Sequence, residues 1–286
     1  MIEIGITLSI ACAFLTNVSG LCKHRGALAA PAVSFRHPGR SAAALFRSRW
    51  WTIGFGIAAA AWLLHVAALT VAPLSLVQML ISGGLVLLAF PAERWFGLTL
   101  GPRQWAGLGL SAGGLALLAI STDTSGAHAS YSIPAMAAFE AGAIGIGIGL
   151  LLGGRSDTPG PRHGAALGAA AGLLVGVSDV SIKALTGTVP GDPVSILGPW
   201  TMVAVVAGVL AFFALARGLQ TGEAIAVITL SSVAANCAAI LGGVLVFGDP
   251  MGNGAVEIVA RSLAFAAVIA AAALMPAPRP AQTTAA

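Results

Sequence analysis

The sequence predicts an all-α, polytopic membrane protein with about nine transmembrane helices in two inverted repeats, four spans in the first and five in the second. Composition is the first reason: 57% of the 286 residues are hydrophobic and only 8% are charged, whereas an ordinary soluble domain is about a quarter charged. The second reason is that apolar runs recur at the length a helix needs to cross a bilayer. The third is that the basic residues cluster in alternate loops between these runs.

Short polar segments divide the chain into about nine apolar runs. The runs are Ile4–Leu21, Trp51–Val71, Leu74–Phe90, Gln104–Ile120, Ile133–Leu152, Gly164–Leu185, Ile196–Leu215, Ala224–Phe247 and Val256–Met275. Each is close to the roughly 20 residues that span the hydrocarbon core as a helix. The weakest division lies at Pro73, which must form a tight turn between the second and third runs.

The loops predict the orientation. The loop at residues 23–50 is rich in Lys and Arg, and such loops mark the cytoplasmic side. The start "MIEIGITLSI" lacks the basic region of a signal peptide, so we expect a retained first span with the N-terminus outside. Alternation of the spans then places all the remaining Arg-bearing loops on the cytoplasmic side. The tail at residues 276–286 is expected to be disordered and cytoplasmic.

Two segments share one plan and indicate an internal repeat. They are "ALTVAPLSLVQMLISGGLVLLAFPAERWFG" and "GLQTGEAIAVITLSSVAANCAAILGGVLVFGDPMG". Each holds a helix end, a tight link, a span with a Ser-Gly or Gly-Gly pair, and a terminal acid, Glu93 or Asp249. The predicted topology gives the two copies opposite orientations, which is typical of inverted-repeat transporters. The first repeat is expected at residues 1–121 and the second at residues 133–275.

The stretch "AALTVAPLSLVQMLISGGLVLLAFPAERW", followed by "QWAGLGLSAGGLALLAI", resembles the repeat of the drug/metabolite transporter superfamily with EamA-type repeats. Within that superfamily, "LCKHRGAL" closing the first helix is most similar to the NIPA-like branch, which is associated with magnesium transport. The resemblance implies a transporter fold. The family's usual ten spans become nine here through an incomplete first repeat.

Two charges interrupt the sixth run, in "GVSDVSIKAL". Asp179 and Lys183 are four residues apart, so they share one helix face and can pair directly. Nearly the same face carries Gly168, Gly172 and Gly176, a stripe of small residues that lets another helix approach closely. A structural ion pair in a tight helix contact and a substrate or coupling site are both open.

Further candidate site residues are Glu140, His65, Gln78 and Asn236. Glu140 has no basic residue within a turn, and a carboxylate at that depth needs a proton, water or a cation. It is a candidate carrier of a proton or cation, or a structural group bonded to a neighbouring helix. His65, and Gln78 at the start of the third run, lie on the outer side with it, whereas Asn236 lies mid-span. A structural hydrogen-bonding role is open for His65 and Asn236.

The function expected first is a secondary transporter of the drug/metabolite type that moves a small solute across the plasma (inner) membrane by alternating access. No enzymatic activity and no cofactor are expected. The alternatives are a NIPA-like divalent-cation (Mg²⁺) carrier with Glu140 and Asp179 among its ligands, and a non-transporting partner subunit or membrane-embedded enzyme. Expected partners are the lipid bilayer and a small-molecule or ion substrate, not nucleic acid; a homodimer is left open.

Overall fold

The computed structural model describes residues 2–71, 80–81, 83–98, 100–121, 131–153, 161–188, 197–248 and 254–274. Within these ranges the secondary structure is helical, without strands. The α-helices are α1 Ile2–Leu28, α2 Pro38–Arg47, α3 Arg49–Val71, α4 Ala89–Phe96, α5 Pro102–Ser121, α6 Ile133–Gly153, α7 Pro161–Thr188, α8 Pro199–Thr221, α9 Ala224–Phe247 and α10 Ala255–Leu274. A 3₁₀ helix at Gly84–Leu88 leads directly into α4.

Five helices in the described ranges, α1, α6, α7, α8 and α9, are long and apolar enough to cross a membrane. Large apolar side chains also remain exposed on helix surfaces, among them Leu63 at 61%, Met202 at 66% and Leu245 at 61%. Exposed apolar surface of this kind suits a lipid environment. The prediction of an all-helical membrane protein is therefore confirmed at this level. Helices α3, α5 and α10 contain 23, 20 and 20 residues.

Two helices, α1 and α8, continue well beyond the predicted ends of their apolar runs. The first run was expected to end at Leu21, but α1 continues to Leu28 through the basic residues Lys23 and Arg25. Likewise α8 continues to Thr221 instead of ending at Leu215. Lys and Arg are good helix formers, so the end of an apolar run does not mark the end of a helix. The predicted basic loop at residues 23–50 also contains a short helix, α2.

Helix α7 is the packing centre of the second half. It packs along α8 and α9 and also contacts α6. The contact with α9 uses the glycine stripe Gly168, Gly172 and Gly176: a Cβ atom at Gly172 would collide with the carbonyl oxygen of Ser231. The expectation that this stripe admits a close helix is confirmed, and the helix is α9.

Hydrogen bonds show which helix ends lie together. The side-chain amide of Gln220, at the end of α8, donates to the carbonyl oxygen of Ala27 at 2.9 Å and accepts a bond from the amide of Val33 at 2.9 Å. The side-chain amide of Gln104, near the start of α5, donates to Glu223 Oε1 at 3.0 Å. We call this end of the bundle, where α1 and α8 terminate and α5 and α9 begin, the basic end.

The opposite end of α8 is fixed by aromatic contacts. The indole nitrogen of Trp200 donates to the hydroxyl of Tyr131 at 2.7 Å, just before α6 begins. The Tyr131 ring also contacts Phe247, the last residue of α9, in an edge-on arrangement with the ring centroids 6.1 Å apart. Helices α8 and α9 therefore run in opposite directions between these two ends.

Candidate functional site

A cavity of about 500 Å³ lies between helices from both halves of the chain. Its described lining comes from α1, α3, α7, α8 and α9, together with Ile81. A volume of this size is within the range of small-molecule sites in proteins. The bundle therefore encloses a space large enough for a metabolite.

Helix α1 lines the cavity with a polar stripe of four residues, which are Cys12, Thr16, Ser19 and Lys23. Their spacing of three or four residues places them on one helix face. The Ser19 hydroxyl donates to the carbonyl oxygen of Gly54 on α3 at 2.7 Å, so one group of the stripe bonds to protein.

Lys23 stands at the end of this stripe. It is half-buried, and its ammonium nitrogen lies 5.9 Å from the ring centroid of Phe55 on α3. Within the described part of the chain it forms no ion pair or hydrogen bond through its side chain. Its position inside the cavity, instead of in a cytoplasmic loop, follows from the continuation of α1 beyond Leu21.

Asp179 lines the same cavity from α7 and is exposed to it. Its carboxylate has no hydrogen bond or ion pair with any described residue, Lys183 included. The ammonium nitrogen of Lys183 lies 4.3 Å from the ring centroid of Phe247. The direct Asp179–Lys183 pair that their spacing allows is therefore not formed in this structure, and only Asp179 of the two is among the described cavity residues.

His65 and Asn236 also line the cavity, from α3 and α9. His65 is half-buried, and its ring makes no hydrogen bond with a described residue. The amide nitrogen of Asn236 donates to the carbonyl oxygen of Ser232, one turn earlier, at 2.8 Å. Its amide oxygen accepts no bond from the described residues, so it can accept one from a ligand.

Glu140 occupies a different environment. It is 4% exposed and does not line the cavity among the residues described. One of its oxygens accepts a hydrogen bond from the hydroxyl of Ser181 on α7 at 2.5 Å, and Ser181 is itself fully buried. This is the contact that the structural alternative for Glu140 requires, a bond to a neighbouring helix.

The remaining candidate, Gln78, lies outside the described residues. The same is true of Asp249, the acid expected at the end of the second repeat segment. The structure thus brings His65, Asp179 and Asn236 together in one cavity and separates Glu140 and Lys183 from its described lining.

Thr16 and Lys23 are not among the site residues predicted from the sequence. The signal was present, because "CAFLTNVSGLCK" carries polar or small residues at the helical spacing of Cys12, Thr16, Ser19 and Lys23. A first span that ends at Leu21 places Lys23 in a loop and so hides this pattern.

The cavity wall carries charged and hydroxyl side chains that come from different helices. Its described lining includes one carboxylate, one ammonium and one imidazole, with the hydroxyls of Thr16, Ser231 and Ser232. Across the described residues, no three His, Cys, Asp or Glu side chains lie close enough together to hold a metal ion.

Comparison with protein-family models, curated proteins and solved structures finds no match to this chain.

Proposed function

We propose that the protein is a secondary transporter that moves a small polar solute across the cell membrane by alternating access. The observation that carries the proposal is the cavity lined by Lys23, His65 and Asp179, whose side chains have no hydrogen-bond or ion-pair partner among the described residues. Ionisable groups at bilayer depth are costly, at least about 2.5 kcal/mol for an acid or a base on insertion scales, and typically mark a substrate or ion pathway.

Helix packing supports the proposed inverted repeat. In the first half, α1 packs on α3 and on the segment around Gly84; in the second half, α7 packs on α8 and α9. Helices α5 and α10 pack on each other. These pairings are expected if the four spans of the first half correspond in order to four helices of the second half: α1 to α7, α3 to α8, the third span to α9, and α5 to α10. Helix α6 is then the additional span of the second half.

The directions of α1 and α7 also support this correspondence. Gly164, near the start of α7, packs against Gly222 just after α8, and the end of α8 bonds to the end of α1 through Gln220. The first helix of one half therefore ends where the equivalent helix of the other half begins. Equivalent helices that run in opposite directions are a feature of inverted-repeat transporters.

The distribution of charge supports the proposed orientation with the N-terminus outside. The basic end of the bundle carries Arg25, Arg103, Arg162 and Arg217, each within a few residues of a helix end that lies there. Lys and Arg close to the ends of spans favour the cytoplasmic side. The basic end is accordingly proposed to face the cytoplasm.

Alternating access requires the two halves to separate at one end while they close at the other. At the basic end, Gln220 and His24 form hydrogen bonds between α8 and the end of α1. These contacts join the two proposed halves. We propose that they break when the cavity opens towards the cytoplasm.

The divalent-cation carrier is the weaker proposal. A hydrated Mg²⁺ is usually held by one or two carboxylates with further oxygen ligands, and of Glu140 and Asp179 only Asp179 is among the described cavity residues. Membership of the drug/metabolite superfamily, with its NIPA-like branch, stays a proposal that depends on the sequence resemblance. The partner-subunit and enzyme alternatives have no supporting observation in the cavity.

Reconstitution into proteoliposomes tests the transport proposal. We expect one or more classes of radiolabelled solute, including amino acids, short peptides, sugars and amines, to enter faster with the protein than without it. Asp179→Asn should lower this uptake by roughly 30-fold or more, and Glu140→Gln serves as the matched control because it removes a carboxylate outside the described cavity lining. Uptake that is equal with wild type, Asp179→Asn and protein-free liposomes for every class would overturn the proposal.

A further inference from the structure

Lys23 and Asp179 have opposite charges and no ion-pair partner among the described residues, and they lie far apart in the cavity. On α1, Gly20 packs against Ile228 of α9, and Lys23 lies one turn closer to the basic end. On α7, Val180 packs against Gly242 of α9, and Asp179 precedes it. The depths of Lys23 and Asp179 in the bundle can therefore be compared through the α9 residues that lie level with them.

Measured along the axis of α9, the levels of Lys23 and Asp179 are about 16 residues apart, or about 24 Å at 1.5 Å per residue. Helical side chains lean towards the N-terminus of their own helix. Because α1 and α7 run in opposite directions, Lys23 and Asp179 lean towards each other. Subtracting roughly 6 Å for the extended lysine stem and about 2 Å for the aspartate leaves about 16 Å along the helix axis between the charged groups.

A gap of this size explains why the two side chains do not pair with each other, since an ion pair needs a separation of about 4 Å or less. It also excludes a small zwitterion, such as a free α-amino acid, from contacting both groups at once. A ligand that neutralises both charges must be elongated.

We propose that the cavity binds an elongated zwitterion, with its cationic group at Asp179, its anionic group at Lys23, and hydrogen-bonding groups between them. This inference deepens the proposed transport function and rests on it for the direction of movement, although ligand binding can be tested separately. Charge-assisted contacts at both ends occupy about 3 Å each, which leaves about 10 Å between the ligand's own charges. An extended chain of three amino acids matches that length, at about 3.3 to 3.6 Å per residue.

The side chains between the two charges suit such a ligand. Thr16, Ser231, Ser232 and Asn236 line the cavity at levels between Lys23 and Asp179. Hydroxyl and amide groups of this kind can donate to and accept from peptide-like N–H and C=O groups. An apolar linker between the charges would leave these groups without partners, so a polar linker is favoured.

Binding of an oligoglycine series to the purified protein in nanodiscs tests the proposal. Glycine, diglycine, triglycine, tetraglycine and pentaglycine are titrated by calorimetry, with N-acetyl-triglycine and triglycine amide as blocked forms. We expect an affinity maximum at three or four residues, at least tenfold above glycine. Blocking either end should weaken triglycine binding by at least tenfold.

Charge variants assign each end of the ligand. In Asp179→Asn, acetylation of the amino end should cost nothing further, while amidation still weakens binding; in Lys23→Gln, the pattern should reverse. Glu140→Gln and Lys183→Gln are matched controls that remove the same kinds of charge outside the described lining, and both should keep the wild-type pattern. Size-exclusion profiles establish that each variant is folded.

Three results would separate the proposed ligand binding from the proposed transport. Equal affinity along the series, or blocked ends that bind as well as free ends, would overturn the elongated zwitterion. Uptake of other solutes without this binding pattern would overturn the inference and leave transport standing. The binding pattern without uptake of triglycine into proteoliposomes would overturn transport and leave the binding site standing.

Discussion

Glu140 and Asp179 are both carboxylates inside apolar helices, and the structure treats them in opposite ways. Glu140 is 4% exposed and accepts a hydrogen bond from Ser181. Asp179 is exposed to the cavity and has no hydrogen bond or ion pair among the described residues. Ser181 and Asp179 are only two residues apart on α7. The same helix therefore supplies the hydroxyl that bonds to Glu140 and carries Asp179, the candidate functional acid.

The contacts of the two acids differ from what their sequence spacing alone suggests. Glu140 has no basic neighbour on its own helix, whereas Asp179 has Lys183 four residues later. Sequence spacing therefore favoured Glu140 as the free carboxylate and Asp179 as the paired one. Contacts between helices decide the matter otherwise, because a partner at bilayer depth can come from any adjacent helix.

The largest expected difference between the two acids is in chemical access. In a background where Cys12, Cys22 and Cys237 are replaced by Ala, we expect Asp179→Cys to react with a small water-soluble thiol reagent at least about 100-fold faster than Glu140→Cys. The reason is that the thiolate is the reactive form of cysteine, and a thiol in contact with water can ionise and meet the reagent, whereas a buried thiol cannot. Labelling rates followed by mass spectrometry measure the difference, and equal rates would remove the distinction between a cavity acid and a buried acid.

The second difference concerns transport. Asp179→Asn should lower the rate of solute uptake by roughly 30-fold or more, since losing one partner of a buried charge contact costs about 2 to 5 kcal/mol. Glu140→Gln should stay within about threefold of wild type, because its side chain retains an oxygen that accepts from Ser181. Initial uptake rates in proteoliposomes, normalised to inserted protein, provide the measurement. A larger loss in Glu140→Gln than in Asp179→Asn would return the coupling role to Glu140.

The third difference is in stability. Glu140→Ala should lower the free energy of unfolding by about 1 to 3 kcal/mol, because the buried hydroxyl of Ser181 loses its acceptor. Asp179→Ala should change it by less, because its carboxylate makes no bond with the described residues. Thermal or denaturant unfolding in one detergent compares the two variants. Greater destabilisation by Asp179→Ala would show that Asp179 has a structural role.

The smallest expected effect is the energy of the single hydrogen bond. Ser181→Ala should cost about 1 kcal/mol, and the double variant with Glu140→Ala should cost less than the sum of the two single variants. A double-mutant cycle from unfolding midpoints gives this coupling energy. Strict additivity would mean that the Ser181–Glu140 bond contributes nothing measurable.

Part of the cavity could have been predicted. Cys12, Thr16, Ser19 and Lys23 repeat at helical spacing and needed only the continuation of α1 beyond Leu21. His65, Asp179 and Asn236 were chosen because polar groups in apolar runs mark functional sites. Sequence spacing could not show that these residues of three different helices share one cavity, since helix packing sets their relative rotation and depth.

The sequence by itself determined the membrane class of the protein and its helical structure. A bilayer offers no hydrogen bonds to the backbone, so long apolar runs separated by short loops must fold as helices. It also determined the stripe of glycines on α7, because only small residues let a second helix approach so closely. The tertiary structure alone decided which charges are satisfied. Glu140 bonds to Ser181 and Asp179 faces the cavity because the rotation of α7 against its neighbours aims one side of that helix into the core and the other into open space.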